Sequence, residues 1–397
     1  MALTTGIFNT TLNPAELNAR SFAANITRLF PNGSAPLLGI TAMTPKVKAK
    51  STTHGYFSKT MTFLAFVIGT ANVAADVSID VPSTVGMTAG MVFHNPRTRE
   101  NIRIESITDS NTIAVKRAAG RVAAADMLDT DELFHIGTAF AEGSNRPTAR
   151  RLATVYIPNY TQIFRDAWAL TDTARASAVE AGYGNVAEDR KECGLFHAIN
   201  IESTIIWGQP KMDTTGTQPL HYTQGIIDAM EQYAPGNTNT AAATTTYDQL
   251  VSMMEPAYTY SADVGNPMER IALGGSRAIR VLNDIGRLYG DIQITQNETQ
   301  FGMKFQSFQF YKGVVQVKEH PLLNGLGQED MLIVLDPPAL RLAYLDGRDT
   351  KAEEYGTNGK LLENGTDGVG GSLTTEAAVE LVNPYGCAVI YGLTAAA

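Results

Sequence analysis

The sequence predicts an α+β fold, because strand patterns and helix patterns occupy separate stretches of its 397 residues. Short alternating runs separated by turn residues fill residues 57–140, helical patterns dominate residues 160–290, and strand patterns return from residue 291. No segment recurs with a period of about 20–50 residues, so a solenoid is excluded. The apolar content of 44% excludes a disordered chain.

Residues 1–56 are predicted to form an extended N-terminal arm with little core of its own. Prolines such as Pro14, Pro36 and Pro45 break any long element. The segment Lys46-Val-Lys-Ala-Lys50 alternates like a short strand at the end of this arm.

The charge of the chain is divided unevenly between this arm and the rest. Residues 1–59 contain six basic residues and one acid, for a net charge of +5. The whole chain carries −9, so residues 60–397 carry −9 − 5 = −14. The basic residues are Arg20, Arg28, Lys46, Lys48, Lys50 and Lys59. This division favours contact of the arm with an acidic neighbouring subunit or with nucleic acid, and a solvated terminus is the alternative.

The chain as a whole carries little charge, with 18% charged residues against about 25% in an ordinary soluble domain. This deficit predicts either a surface largely buried against partners or a neutral surface rich in small polar residues. The N-terminus lacks the regions of a secretory signal, and the longest apolar run, Phe63–Ile68, is too short to span a membrane. We therefore expect a protein made in the cytosol, with no membrane partner.

Residues 57–150 are interpreted as a long hairpin that carries a small inserted β module. Short strand patterns recur here, for example around Ile79 and Ile104, with turn signals about every 8–12 residues, as in a small barrel or sandwich. The flanking segments 57–66 and 138–151 would form the two sides of the hairpin.

A long helix is predicted from Asn185 to Trp207. Asn185 followed by Glu188 resembles a capping box at its start, and Gly208 and Pro210 end it. Its length of more than twenty residues corresponds to roughly 30 Å. We expect it to serve as the spine of its domain.

Three shorter helices and a set of strands follow the spine helix. The helices are predicted at Thr223–Tyr233, Tyr247–Glu255 and Ser276–Tyr289, the second of them opened by Thr245 with Asp248. The strands are predicted at Phe301–Phe310, Val314–Val317, Met331–Leu335, Leu340–Leu345, Ala377–Leu381 and Cys387–Tyr391. Residues 355–372, with six glycines, are predicted to form a loop.

No residue pattern of a catalytic, cofactor or metal site stands out. The six histidines lack a second ligand at metal spacing, and Cys193 and Cys387 lie far apart. His197, in the middle of the spine helix, is interpreted as a hydrogen-bonded packing residue. The turn Asp346-Gly-Arg-Asp349 suits a catalytic carboxylate pair, but it favours an intersubunit or local ion pair. We therefore predict no enzyme, no cofactor and no bound metal.

Short segments spread over residues 57–391 carry a more specific signal. In the β module these are Gly90-Met-Val-Phe93, Arg99-Glu-Asn-Ile-Arg103, Val115-Lys-Arg117, Ala123–Ala125 and Asp131-Glu-Leu133. Later in the chain they are Pro219–Gly225, His320-Pro-Leu-Leu323, Ile333-Val-Leu-Asp336, Ala343–Asp349 and Asn364–Ser372. Together with the element order, these segments resemble the major capsid proteins of tailed bacteriophages, which have the HK97-like fold.

The resemblance implies an HK97-like subunit with five parts. These would be an N-terminal arm (1–56), an E-loop with the small β insertion (57–150), a peripheral domain with the spine helix (151–215), an axial domain (216–360), and C-terminal strands that return to the peripheral or axial sheet (361–397).

The resemblance also implies a structural function. The protein would self-assemble, as hexamers and pentamers, into the icosahedral capsid shell that encloses the double-stranded DNA genome of a tailed bacteriophage. It would be made in the host bacterial cytoplasm and end in the virion. Portal, scaffolding and cement proteins are further expected partners, and packaged DNA would be met at the inner surface without sequence specificity.

Charge and resemblance together predict that the arm and the acidic turn make intersubunit contacts. The residues are Arg20, Arg28, Lys46, Lys48, Lys50, Asp346, Arg348 and Asp349. Two other functions remain open: a carboxylate-dependent hydrolase that uses Asp346 and Asp349, and another virion protein, such as a tube or decoration protein.

Overall fold

The computed structural model describes residues 37, 39, 41, 46–59, 64–177, 186–242, 244–260, 269–289, 294–300, 303–356 and 367–394. Contacts divide the chain into two compact units. The inserted unit is Phe57–Tyr156, and the main unit combines Met1–Tyr56 with Ile157–Ala397. The chain contains both helices and strands, and most strand pairs are antiparallel, so the predicted α+β class is confirmed.

The described residues form strands and helices that follow one another along the chain. The strands are β1 Val47–Ala49, β2 Thr53–Ser58, β3 Ala65–Val67, β4 Ser78–Asp80, β5 Met91–His94, β6 Asn101–Ile107, β7 Thr112–Lys116, β8 Glu132–Thr138, β9 Val155–Tyr160, β10 Gln162–Leu170, β11 Lys211–Asp213, β12 Leu220–Tyr222, β13 Thr238–Thr240, β14 Glu269–Gly274, β15 Ile294–Gln300, β16 Met303–Phe310, β17 Gly313–Glu319, β18 Leu332–Leu335, β19 Leu340–Leu345, β20 Lys351–Tyr355, β21 Val369–Leu381 and β22 Ala388–Tyr391. The helices are α1 Asp172–Ala176, α2 Val186–Trp207, α3 Ile226–Tyr233, α4 Tyr247–Met254, α5 Ser276–Tyr289 and α6 Pro321–Gly325.

The inserted unit contains a six-stranded antiparallel sheet in the order β3-β8-β5-β6-β7-β4. Its strands alternate between buried and less buried positions, as a sheet with one covered face requires. Ile79, Phe93 and Ile104 are among the buried residues that form a separate hydrophobic core. The alternating pattern predicted from the sequence is therefore confirmed.

A buried ion pair fixes the turn that leads into β6. The fully buried Glu100 carboxylate accepts two hydrogen bonds of 2.8 Å from the Arg117 guanidinium. The backbone amides of Ala118 and Ala125 donate to the same carboxylate. Burial raises the pKa of Glu100, but these hydrogen bonds outweigh it, so the pKa lies below its ordinary value.

The main unit contains a five-stranded sheet in the order β1-β19-β21-β10, with β20 also paired to β21. Strand β1 pairs in parallel with β19, so that Val47 lies opposite Ala343 and Lys48 opposite Tyr344. The remaining pairs are antiparallel. The end of the predicted arm is thus an edge strand of this sheet, and the short strand predicted at residues 46–50 is confirmed.

A second, seven-stranded sheet has the order β13-β22-β18-β14-β17-β16-β15. Arg270 on β14 is fully buried, and its guanidinium donates to the carbonyl oxygens of Ala257, Tyr260 and Gly386. One of its nitrogens lies 3.5 Å from the Asp336 carboxylate. The Arg270 side chain therefore links these chain segments to the sheet. The carbonyl oxygens and the Asp336 carboxylate compensate its buried charge.

Helix α2 confirms the predicted spine helix, whose expected first residue, Asn185, lies outside the described residues. Its buried residues include Cys193, His197, Ile201 and Ile205, at the four-residue spacing that places side chains on one helix face. Ile201 and Ile205 belong to the main hydrophobic core.

Helix α4 begins at Tyr247 as predicted, but its capping residue is Thr246 rather than the expected Thr245. The Thr246 hydroxyl accepts a hydrogen bond from the backbone amide of Gln249. The side-chain oxygen of Gln249 accepts one from the backbone amide of Thr246, so these two residues form a capping box. The expected cap, Thr245, instead exchanges hydrogen bonds with Thr394 near the end of the chain.

Two strand regions differ from the prediction. Residues 162–170 form β10 rather than part of the helical region, with Phe164 and Trp168 buried at alternate positions. The predicted glycine loop contains the end of β20 and the start of β21. Glycine is required at Gly371 because a Cβ there would lie 2.8 Å from Nε1 of Trp168. Residues 357–366 of that loop lie outside the described residues.

Candidate assembly site

The pairing of β1 with β19 brings the lysines of the arm beside the acidic turn that follows β19. Lys46 Nζ lies 2.9 Å from Asp349 Oδ2, and Lys48 Nζ lies 3.4 Å from Asp346 Oδ1. Lys46 also lies over the Tyr344 ring, 5.1 Å from its centre. Two charged groups that are about 300 residues apart in sequence therefore meet within one chain.

The electrostatics of this cluster are those of paired surface charges. The hydrogen bond from Lys46 lowers the pKa of Asp349, and the same bond raises the pKa of Lys46. The two side chains are 58% and 53% exposed, so water and salt screen the pair. This arrangement stabilises the docked position of β1 only modestly and keeps it sensitive to ionic strength.

Arg348 holds the same turn from the other side. Its Nε lies 2.5 Å from a carboxylate oxygen of Glu376 on β21, and its carbonyl accepts from the Glu376 amide. Glu376 is buried and also accepts from the Thr161 hydroxyl at 3.0 Å. Gly347 provides the left-handed backbone of the turn, with φ 78°. The turn is therefore clamped between the arm and the sheet.

Of the predicted contact residues, five thus meet in one cluster: Lys46, Lys48, Asp346, Arg348 and Asp349. Lys50 is exposed and makes no ion pair with the part of the chain that the structure describes. Arg20 and Arg28 lie outside the described residues. The local ion pair that the sequence left open is present, and an intersubunit role for these residues stays a prediction.

The cluster does not suit acid catalysis by carboxylates. A general acid needs a pKa raised towards neutral pH, whereas the lysine contact lowers the pKa of Asp349. Asp346 is 68% exposed and faces a lysine as well. Both carboxylates thus act as charged partners of the arm.

A buried anchor elsewhere in the main unit was not predicted from the sequence. The amide of Leu37 donates to Oε1 of Glu202 on α2 at 2.8 Å, and Nε2 of His320 lies 2.8 Å from the same oxygen. All three residues are fully buried, and Leu37 belongs to the main core. The signal in the sequence was Glu202 itself, an acid between the apolar Ile201 and Ile205 of the spine helix.

A second buried network surrounds His197, also on α2. Its Nδ1 lies 2.7 Å from Asp166 Oδ2 and its Nε2 lies 2.8 Å from Thr375 Oγ1. The Thr375 hydroxyl in turn lies 2.8 Å from that of Thr350. Although the order resembles a nucleophile triad, Thr375 is only 1% exposed. The prediction of a hydrogen-bonded packing histidine is confirmed.

Two further features bear on function. Within the described ranges, no group of three or more histidine, cysteine, aspartate or glutamate side chains is placed to hold a metal ion. Among the same residues, no helix is long and apolar enough to cross a membrane.

The polar clusters around Asp349, Glu202 and His197 each hold distant segments of the chain together. Residues 3–394 match the family described as SU10 major capsid protein. The major capsid protein of Pseudomonas phage PaMx41 is 49% identical over 406 residues, covering 99% of this chain and 97% of the relative. The chain belongs to the SU10 major capsid protein family, so the predicted resemblance to phage major capsid proteins and the structural, capsid-forming role are confirmed.

The solved structures that this chain matches include phage structures and an encapsulin complex. The structure from Mycobacterium phage Bobi has a TM-score of 0.47 at 11% identity, covering 95% of this chain and 96% of the other. The structure from Microbacterium phage Oxtober96 has a TM-score of 0.47 at 12% identity, with the same coverage. The encapsulin complex from Synechococcus elongatus has a TM-score of 0.43 at 11% identity, covering 61% and 78%.

Proposed function

We propose that this chain is the subunit of the icosahedral shell that encloses the double-stranded DNA genome of a tailed bacteriophage. Copies of the chain assemble as hexamers and pentamers, and the finished protein resides in the virion. The observation that carries this proposal is the match of residues 3–394 to one capsid protein family. The relative with 49% identity supports it over nearly the whole length of both chains.

The parts of the chain take the roles that the resemblance implies. Residues 1–56 form the arm, 57–150 the E-loop, 151–215 the peripheral domain and 216–360 the axial domain, and residues 361–397 return to the sheets. The separate compactness of Phe57–Tyr156 supports an E-loop with its own module. The placement of β21 and β22 in two different sheets supports returning C-terminal strands.

The predicted contact residues divide into two tasks in this proposal. Lys46, Lys48 and the turn at residues 346–349 hold the base of the arm, as their ion pairs support. Arg20, Arg28 and Lys50 provide charge for a neighbouring acidic subunit. The net charge of −14 on residues 60–397 supports such a pairing.

The same charge limits adhesion of packaged DNA to the shell, because like charges repel. Contact with DNA is then without sequence specificity. Portal, scaffolding and cement proteins are the other partners of the shell, and synthesis takes place in the host bacterial cytoplasm. The protein acts structurally rather than as an enzyme, which the lysine-paired carboxylates of the acidic turn support.

Electron microscopy of the purified full-length protein tests this proposal. We expect closed icosahedral shells, produced either by the protein alone or when it is expressed with the neighbouring virion proteins. Tubes, or binding only to pre-formed shells, would support a tube or decoration protein instead. Monomers that hydrolyse a substrate, with loss of activity in Asp346→Asn and Asp349→Asn, would support the hydrolase.

A further inference from the structure

A small cavity lies in the main unit where β2 meets the end of β21. His54 and Tyr56 line it from β2, Asn159 lines it from β9, and Glu380 lines it from β21. The volume open to the centre of a water molecule is about 10 Å³. This is close to the smallest cavity that holds one water, about 10–15 Å³.

Two polar atoms of this cavity have no hydrogen-bond partner. They are Nε2 of His54 and Oε2 of Glu380, both shielded from solvent. The Glu380 side chain is 9% exposed and that of His54 17%. The two atoms lie 3.8 Å apart, which is too long for a direct hydrogen bond. A buried carboxylate oxygen without a partner is costly, so this site needs a further donor.

Two other polar side chains of the lining, Asn159 and Tyr56, already have hydrogen-bond partners. The Asn159 amide donates to the carbonyls of Gln224 and Val379, and its oxygen accepts from the amides of Tyr160 and Gln224. The Tyr56 hydroxyl donates to the carbonyl of Leu381.

Arg341, opposite Glu380 on β19, is the nearest cation in the strand register. It directs its Nε to the carbonyl of Pro338 at 3.3 Å. Nε2 of His54 and Oε2 of Glu380 are thus the two buried atoms of this lining that lack a hydrogen-bond partner among the described residues.

We propose that one ordered water molecule bridges His54 and Glu380. The water donates a hydrogen to Oε2 of Glu380 and accepts one from Nε2–H of His54. Two hydrogen bonds of about 2.8 Å span the separation between the two atoms. A bare metal cation fits less well, because hard cations take about six or more oxygen ligands, whereas this cavity offers one uncommitted carboxylate oxygen.

The bridge ties the first residues of β2 to the last residues of β21. Strand β2 carries the chain from the main unit towards the inserted unit, whose first residue is Phe57. The water thus helps to hold β2 against β21 just before the chain enters the inserted unit. The hydrogen bond from the Tyr56 hydroxyl to the Leu381 carbonyl has the same effect.

A structure of the full-length protein at a resolution that shows ordered waters tests the bridge directly. We expect one density peak within about 2.7–3.2 Å of both Nε2 of His54 and Oε2 of Glu380. An empty cavity, or the two side chains in direct contact, would overturn the proposal. Because the map can come from shells, tubes or free subunits, this result is independent of the proposed function.

A double-mutant cycle provides a second test in the same protein. We expect His54→Leu and Glu380→Met each to lower the thermal midpoint of unfolding. Each substitution removes one of the two side chains that hold the water and leaves the other side chain buried with a poorly held partner. The double variant should regain part of this loss, since both polar groups are then gone. Glu380→Gln is the matched control and should keep the water density. Purely additive losses would contradict the bridge.

Discussion

At the scale of single residues, the clearest dependence of stability on one contact is the Glu100–Arg117 pair. Arg117→Met keeps the side-chain length but leaves the Glu100 carboxylate buried without its two charged donors. Breaking a buried pair in this way costs about 3–5 kcal/mol. We expect a fall of this size in the free energy of unfolding of the inserted unit.

Chemical denaturation followed by far-ultraviolet circular dichroism measures this effect. Both tryptophans, Trp168 and Trp207, lie outside Phe57–Tyr156, so their fluorescence does not report on this unit. Arg280→Met is the matched control, because Arg280 is 79% exposed and its partner Asp284 lies 3.8 Å away. The control should change stability by less than about 0.5 kcal/mol. Equal effects of the two substitutions would refute the role of the buried pair.

A second residue-scale prediction concerns acid stability. The hydrogen bonds from Arg97 lower the pKa of Asp131 to about 2. Because this folded-state pKa lies below the unfolded one, the carboxylate stabilises the fold fully above its ordinary pKa. That stabilisation is lost as the pH falls from about 5 towards 2. We expect the stability difference between wild type and Asp131→Asn to shrink over this window.

Thermal melts recorded at several pH values in that range measure the shrinkage. Asp129→Asn serves as the control, since Asp129 is exposed and forms no ion pair with the residues that the structure describes. The difference in stability between Asp129→Asn and wild type should stay nearly constant over this pH range. A difference for Asp131→Asn that does not depend on pH would argue against a charged, hydrogen-bonded Asp131 in the fold.

At the scale of elements, the sequence predicted those whose pattern is set locally. Helix α5 spans Ser276–Tyr289 as predicted, and α2 ends at Trp207 as predicted, because apolar spacing and flanking glycines define their limits. Strand β10 was missed because its partner, β21, is about two hundred residues away. The glycines at the start of β21 indicated a loop, although Gly371 is needed there to leave room for the carbonyl oxygen of Glu353 and the side chain of Trp168.

The candidate site shows the same limit. The sequence identified both halves of the ion-paired cluster, the lysines at 46–50 and the acidic turn at 346–349. It could not show that they meet in one chain, because this follows from the register of β1 on β19. The Leu37–Glu202–His320 anchor was missed for the same reason, since its members come from three distant segments.

The local nature of the Lys46–Asp349 pair leads to an element-scale prediction. Lys46→Asp alone and Asp349→Lys alone each place like charges together, so each should loosen β1. Faster amide exchange at residues 46–50 and faster trypsin cleavage there would report the loosening. The double variant, which restores opposite charges within one chain, should return both readouts towards wild type.

Mixing the two single-variant chains distinguishes a local pair from an intersubunit pair. If the pair is local, every chain in the mixture keeps its own mismatch, and we expect no rescue after co-expression. If the pair joined different subunits, half of the contacts in a mixed assembly would again be opposite in charge. Partial recovery in the mixture would therefore contradict the local assignment. High salt should weaken all of these differences.

At the scale of the whole molecule, the low charge of 18% fits a protein that buries much of its surface against copies of itself. The structure refines the division between basic arm and acidic body. Lys46 and Lys48 are neutralised by their own chain, so the first 59 residues offer less free charge than their net +5 suggests. In the proposed assembly, the residues before Leu37 would then carry part of the arm's charge-based contact with neighbouring subunits.

Two truncations of the arm separate anchoring from reach. Deleting residues 2–36 keeps Leu37, its hydrogen bond to Glu202 and strand β1, so the melting temperature should keep the contribution of these contacts. Deleting residues 2–50 also removes the buried Leu37 side chain, which contributes about 1.5–3 kcal/mol, and should lower that temperature. We expect both truncated proteins to be soluble and to fail to form closed shells in electron micrographs, because in the proposed assembly the arm joins neighbouring subunits. Normal shells from the shorter deletion would show that the arm acts only through its base, and normal shells from both would show that assembly does not need the arm.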